Sequence, residues 1–318
     1  MKFQLVALLT AALLSPAALQ AQETTFQNAD KSVTLSGGLG VLAIESREYV
    51  FSSSGGSDYL SLLIWQSAAP LLSASLDVEL PEDWSIIADA AVAVSGDSYM
   101  EDYDWFPAYL VGPPNMNNWT HQSKHPNTNL DWYFNGSLHA AYKVKLESGT
   151  TIQLRGGLEY TDVQWTASGG SAIYSVGGFR NVSGNFPPGR AITYRQQFPA
   201  LVTGVNAIFD RGDWVFDFGA KVGVTFSAKA TDDHWLRDLR FAEDVYMAPL
   251  VGLSGSATRK ISDNLDVVLS AKMDRIFLGR SNTNYFSIPT GAPLGSSVNA
   301  SGADLLSGAL KVSLKGSF

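Results

Sequence analysis

Between positions 214 and 226 every even residue is apolar (Trp214, Phe216, Phe218, Ala220, Val222, Val224 and Phe226), while the odd ones include Asp217, Gly219, Lys221, Gly223 and Thr225, with Val215 the exception. A strand with one oily and one wet face leaves this two-residue beat in a sequence. Positions 130–146 repeat it, with Leu130, Trp132, Phe134, Leu138, Tyr142, Val144 and Leu146 set against Asp131, Asn135, Ser137, His139, Lys143 and Lys145. The beat returns at 152–160, 265–273 and 306–318. Strands of soluble globular domains usually run ~5–6 residues. These segments are often more than twice that, long enough to cross an apolar band ~25 Å tall at a tilt and continue beyond it. In lipid only a closed sheet satisfies every backbone donor and acceptor.

The breaks set the strand number. Short ones fall at Pro81-Glu82-Asp83, Glu147-Ser148-Gly149, Asp210-Arg211-Gly212-Asp213 and Ser262-Asp263-Asn264, all turn chemistry. Longer ones fall at 52–57, 99–128, 169–190, 231–243 and 283–301, alternating with the short ones. The prediction is an all-β fold, a ten-stranded antiparallel transmembrane β-barrel with short periplasmic turns, long extracellular loops and both termini inside. Residues 1–21 place one Lys ahead of a short apolar stretch that ends in Ser15, Pro16 and small residues, which reads as a secretory signal peptide. Positions 22–318 are then one barrel domain, located in the cell outer membrane.

Composition narrows the chemistry. The chain has no Cys, which removes disulfides, thiolate zinc sites and thiol nucleophiles together. Catalysis must therefore use oxygen or imidazole. With 22 Lys and Arg against 30 Asp and Glu, the net charge of -8 opposes nucleic-acid binding and favours a cationic partner. Lys143, Lys145, Asp131, Arg155 and Glu159 are expected to face the lumen and cross-pair, which fills a small barrel and disfavours a pore.

Of the four His residues, His139 sits on the wet face of a predicted strand, and His121, His125 and His234 fall in predicted long loops. Asp102 and Asp104 open the second long loop, and Asp232 and His234 the fourth. In extended backbone, positions i and i+2 share a face. Each pair is thus one site at the outer rim, and together the two could bracket a water molecule. The imidazole would act as general base, its neighbouring acid would orient the ring, and the opposite carboxylates would hold the water. Solvating rim acids, or a calcium site formed by Glu101, Asp102 and Asp104, are the alternative readings of the same residues.

The stretch MEDYDW, followed by NWTHQSKHPNTNLDWYF, resembles the omptins, ten-stranded outer-membrane endopeptidases. Their pattern of D-x-D-W and W-T-x-x-S-[RK]-H-P-x-T is met by Asp102, Asp104, Trp105, Trp119, Thr120, Ser123, Lys124, His125, Pro126 and Thr128. GGSAIYSVGGFRNVSGNFPPGRAITYRQQF at 169–198 is similar to a second family block, and the D-x-H follows in Asp232 and His234. The resemblance implies an aspartic-type endopeptidase with Asp102, Asp104, Asp232 and His234 as catalytic set, water as nucleophile, no metal and no other cofactor. It implies that acids in the cleft, Glu48 among them, seat a basic side chain of a peptide or protein substrate, and that His125 supports the site. The second such acid is absent, since Ala230 stands at its position. Lipopolysaccharide is the family's activating partner, but Leu158, Tyr160, Asp162 and Gln197 stand where its contacts are expected, and none matches. A non-catalytic barrel, either adhesin or pore, is the competing class.

Overall fold

A computed structural model describes residues 32–52 and 58–318; the predicted signal peptide lies outside them. The strands are β1 (Val33–Phe51), β2 (Tyr59–Glu79), β3 (Trp84–Ala93), β4 (Asp97–Asp104), β5 (His121–Lys145), β6 (Thr150–Ser168), β7 (Ser171–Tyr174) and β8 (Val182–Asn185). They continue with β9 (Arg190–Arg211), β10 (Trp214–Thr225), β11 (Ala228–His234), β12 (Leu239–Val245), β13 (Pro249–Ser262), β14 (Leu265–Ser287) and β15 (Pro293–Ser317). β15 pairs antiparallel with β1 as well as with β14, which closes a ring of ten staves. Three staves are broken in two, as β3 with β4, β10 with β11, and β12 with β13. β7 and β8 form a small hairpin on the upper part of β5.

The alternation sorts the residues as lipid requires. On β10, Trp214, Phe218 and Val222 face outward and are exposed, while Asp217 and Lys221 join the lumen lining. The predicted short turns are the hairpins at the inner end. At the first of them Glu82 and Asp83 both take positive φ (62° and 61°), the two left-handed residues of a tight hairpin turn.

Strands extend into the predicted long loops. β4 and β5 extend into 99–128, β11 and β12 fill most of 231–243, and β14 and β15 leave only a short turn inside 283–301. The 25 residues of β5 measure roughly 80 Å at ~3.3 Å per residue, so even tilted they rise well past the lipid. Above it the wall mixes ion pairs with a buried cluster of Tyr49, Phe51, Leu62, Tyr103 and Trp105. The apolar beat fades there while the hydrogen-bonded ladder continues, and the sequence pattern therefore ends before the strand does.

Asp131 does not face the lumen. A bulge between Leu130 and Trp132 shifts the register of β5, leaving Leu130 buried inside and aiming Asp131 outward to accept hydrogen bonds from Gln164 and Thr166. Lys145 pairs with Asp83 in an exposed position at the hairpin end. Lys143, Arg155 and Glu159 do form lumen ion pairs, but with residues other than one another: Lys143 with Glu79, Arg155 with Asp217 at 4.0 Å, and Glu159 with Lys221. Lys221 also reaches Asp274 at 3.0 Å, and Lys272 meets Asp274 from its other side at 3.0 Å. His139 lies beside Glu159. These groups line a cavity of about 500 Å³ inside the barrel. It ends below a buried layer made of Trp65, Trp165, Tyr194, Met100, Leu130 and Phe198, with Trp65 stacked between Trp165 and Tyr194 at 6.0 and 5.7 Å.

Candidate active site

Above that layer the inner wall turns acidic. β4 ends in Asp102 and Asp104, which face inward opposite Leu63 and Ser61 of β2, and the Ser61 hydroxyl donates to Asp102 Oδ1 at 3.2 Å. β11 ends in Asp232 and His234, two residues apart on the same inner face. His234 Nε2 donates to Asp232 Oδ2 at 2.5 Å, leaving Nδ1 as the ring's lone pair. The exposed Arg237, in the single 3₁₀ turn Trp235–Arg237, donates to that Nδ1. Glu48 reaches the same space from β1 and is buried. The outward faces of these strands carry Glu45, Arg47, Glu101, Lys124, Asp233 and Arg240, whose ion pairs place this level outside the lipid.

Protonation follows from this crowding. Burial is the main cause that raises Asp102 to about 6, with the His234 charge pulling the other way. Asp104 is held well above the ordinary carboxyl range by burial and then by the charge of Asp102. Glu48 is likewise pushed up by burial, then by Asp232, Glu243 and Asp102. The charge of His234 acts on Asp102, which puts the β4 and β11 pairs within electrostatic reach of one another.

His125 is not part of that facing set. It is buried, donates from Nδ1 to the Gly169 carbonyl at 2.5 Å, engages the Ser123 hydroxyl with Nε2 and stacks on Phe186. Burial, more than any other cause, lowers its pKa, and both its nitrogens are taken. Its place is to tie β5 to the 169–190 segment. Glu101 points outward to the hydroxyls of Tyr99 and Tyr103 and to Lys124, away from Asp102 and Asp104, so these residues do not make a calcium cage. Among the described residues no three His, Asp or Glu side chains converge as metal ligands do.

Two groups at the site escape the motifs. Arg237 is separated from the D-x-H by only two residues, yet nothing in its sequence marks it. Glu243 on β12 is buried, accepts from the Ser281 hydroxyl at 3.0 Å and is raised to about 8, chiefly by burial. Its sequence signal is a carboxylate on the beat of Phe241 and Val245, an otherwise apolar inner face.

On the outer wall, the positions of the family's lipid contacts hold a closed network. Arg195 grips Asp162 with two hydrogen bonds (2.9 and 2.5 Å), Trp132 and Tyr160 also donate to Asp162, and Gln197 donates to the Tyr160 hydroxyl.

Comparison with known proteins bears on fold and family together. The solved structure of the outer membrane protease OmpT from Escherichia coli superposes with a TM-score of 0.81 at 23% identity, covering 93% of this chain and 99% of that one, which matches the fold. The plasminogen activator of Yersinia pestis is 26% identical over 79% of this chain and 78% of its own length. The outer membrane protease OmpP of Escherichia coli is 25% identical over 90% of both. These relatives support a protease function and an outer-membrane location. The family model described as the Omptin family matches residues 29–318, and the chain belongs to that family.

Proposed function

We propose that this barrel is an endopeptidase of the outer membrane that hydrolyses exposed peptides or proteins near basic residues, with its groove open to the exterior. The observation that supports the reading is that two pairs from distant strands, Asp102 with Asp104 and Asp232 with His234, lie within electrostatic reach of one another above the lipid. In this mechanism a water lies between them. Nδ1 of His234 takes its proton as its oxygen attacks the scissile carbonyl carbon, and Asp232 stabilises the imidazolium through Nε2. Asp102, ionised above about pH 6, orients the water. Asp104, kept protonated by its surroundings, donates to the carbonyl oxygen as charge develops there. The imidazolium then protonates the leaving amine as the C–N bond breaks. Arg237 must leave Nδ1 before the cycle starts.

The test is cleavage of an Arg-containing peptide by protein refolded in lipopolysaccharide-containing micelles, followed by mass spectrometry. His234→Ala is expected to lower kcat by about 10²–10⁴. Full activity in that variant removes His234 as base, and no cleavage by the unaltered protein leaves the inert barrel. The same assay in micelles without lipopolysaccharide reports whether the lipid activates this chain, whose Asp162 is occupied by Arg195.

A further inference from the structure

Ala230 stands where an acid for a basic side chain is expected, and the fold shows what surrounds that gap. In the ladder Ala230 is directly opposite Gln196 of β9 on one side and Glu243 of β12 on the other. All three face inward, and all are buried, at 2%, 0% and 4% exposure. Residues directly opposite in an antiparallel pair have Cβ atoms ~4.5–5.5 Å apart. The carboxylate that position 230 lacks is thus present one strand over, on the longer stem of a glutamate.

Two buried oxygens beside this position, Gln196 Oε1 and Glu48 Oε2, have no hydrogen-bond partner among the described residues. Gln196 spends its amide N–H groups on the Tyr194 hydroxyl (3.0 Å) and the Asp304 carbonyl (3.2 Å), which turns its Oε1 toward no partner. Glu48 Oε2, in a side chain 3% exposed, also has none among the described residues. Glu243 is held from behind, because Ser281 donates to it and is in turn bonded to Ser301 at 2.7 Å, which also bonds Thr283. Among the described residues, neither Glu48 nor Glu243 has a Lys or Arg in ion-pair contact. A buried carboxyl oxygen and an amide oxygen left without partners are costly, and a cation carrying several N–H donors would satisfy both while pairing with the Glu243 carboxylate.

We infer that Glu243 and Glu48, with the Gln196 carbonyl oxygen, form the seat for an arginine or lysine side chain of the substrate, and that the small Ala230 provides its room. Glu243 takes over by position the charge that residue 230 does not supply. The inference rests on the endopeptidase reading and goes beyond it by naming the residue that sets specificity. Tyr194, stacked on Trp65, closes the floor, so the seat is separate from the lumen cavity.

The experiment uses the refolded full chain and two peptides identical except for one residue, Arg in the first and its uncharged isostere citrulline in the second. Glu243→Gln keeps the side-chain shape and the serine contact. It is expected to lower the Arg-to-citrulline ratio of kcat/KM by about 10- to 100-fold, the worth of a charge-assisted hydrogen bond. The loss should fall more heavily on the Arg peptide than on the citrulline peptide. Adding Ala230→Asp to Glu243→Gln returns a carboxylate to the same seat and should restore the ratio at least in part. An unchanged ratio in Glu243→Gln overturns the assignment, as does a uniform loss on both peptides that Ala230→Asp fails to correct. If the unaltered protein cleaves neither peptide, the endopeptidase reading itself fails, a result distinct from both.

Discussion

One barrel interior holds two sets of charges, separated by the Trp65, Trp165 and Tyr194 layer, and they are built in opposite ways. In the lumen, Glu159 and Asp274 share Lys221, and Lys272 takes the other oxygen of Asp274, so that acids and bases alternate. At the rim, Glu48, Asp102, Asp104, Asp232 and Glu243 crowd together with only His234 and the exposed Arg237 facing them among the described residues. The lumen neutralises itself. The rim does not: burial raises several of its acids so that they hold their protons, the kind of perturbation that clusters at functional sites. The difference separates a structural plug from a site.

Removing a cation should therefore be most harmful where cations are part of the structure. Lys221→Met leaves Glu159 and Asp274 facing one another with one partner gone, in a setting where Lys221 and Glu159 are 15% and 6% exposed. Breaking a buried pair by deleting one partner costs about 3–5 kcal/mol. Urea unfolding in micelles should show a loss of that order, with peptide cleavage by the surviving folded fraction unchanged. A loss below about 1 kcal/mol would mean that water, not Lys221, already compensates these acids.

The rim should respond with the opposite sign. Glu243 ionises near 4.5 when unfolded and at about 8 in the fold, so between those values the native state holds a proton that the unfolded chain has lost. Stability therefore declines as pH rises from about 4.5 to 8, by up to about 1.4 kcal/mol per pH unit for one such group. Glu48, Asp102 and Asp104, each raised mainly by burial, share in this decline. Glu243→Gln removes one contributor, and its unfolding midpoint should fall less steeply with pH than that of the unaltered protein, with the largest gain near pH 8. Parallel curves would show that Glu243 is ionised in the folded state throughout.

What the sequence reveals of these two regions follows from how each is encoded. β10 is legible because lipid on one face and lumen on the other stamp a strict alternation on Trp214, Asp217, Phe218, Lys221 and Val222. Asp102 with Asp104, and Asp232 with His234, are legible because each pair lies within three residues and the face-sharing of i and i+2 needs no tertiary knowledge. Glu243 is not, since its meaning comes from standing opposite Ala230 and across from Glu48, relations fixed by ladder register and barrel closure. Asp131 misleads for a similar reason: one bulge residue reverses the face of all that precedes it. The rim strands are hidden because their backbone pairs without an apolar beat to announce it.

Arg237 offers the finest test of the contrast, being the cation that the rim holds loosely. It is exposed, it donates to the Nδ1 lone pair that receives the water's proton in the proposed mechanism, and its charge lowers both Asp102 and Asp104. Arg237→Gln should thus have two effects of different sign. Freed of a competing donor, His234 is available at once, and kcat/KM at neutral pH should rise by a few-fold, in keeping with one exposed hydrogen bond of ~0.5–1.5 kcal/mol. With the cation gone, Asp102 gives up its proton at a higher pH. The acid limb of the rate profile, expected near pH 6 from the Asp102 carboxyl of the unaltered protein, should then move upward by a fraction of a unit, and added salt should move the unaltered protein the same way by screening the exposed charge. A variant slower at all pH values, with its acid limb in place, would instead make Arg237 a donor to the reacting carbonyl and the rim's cation as fixed in purpose as Lys221 is in the lumen.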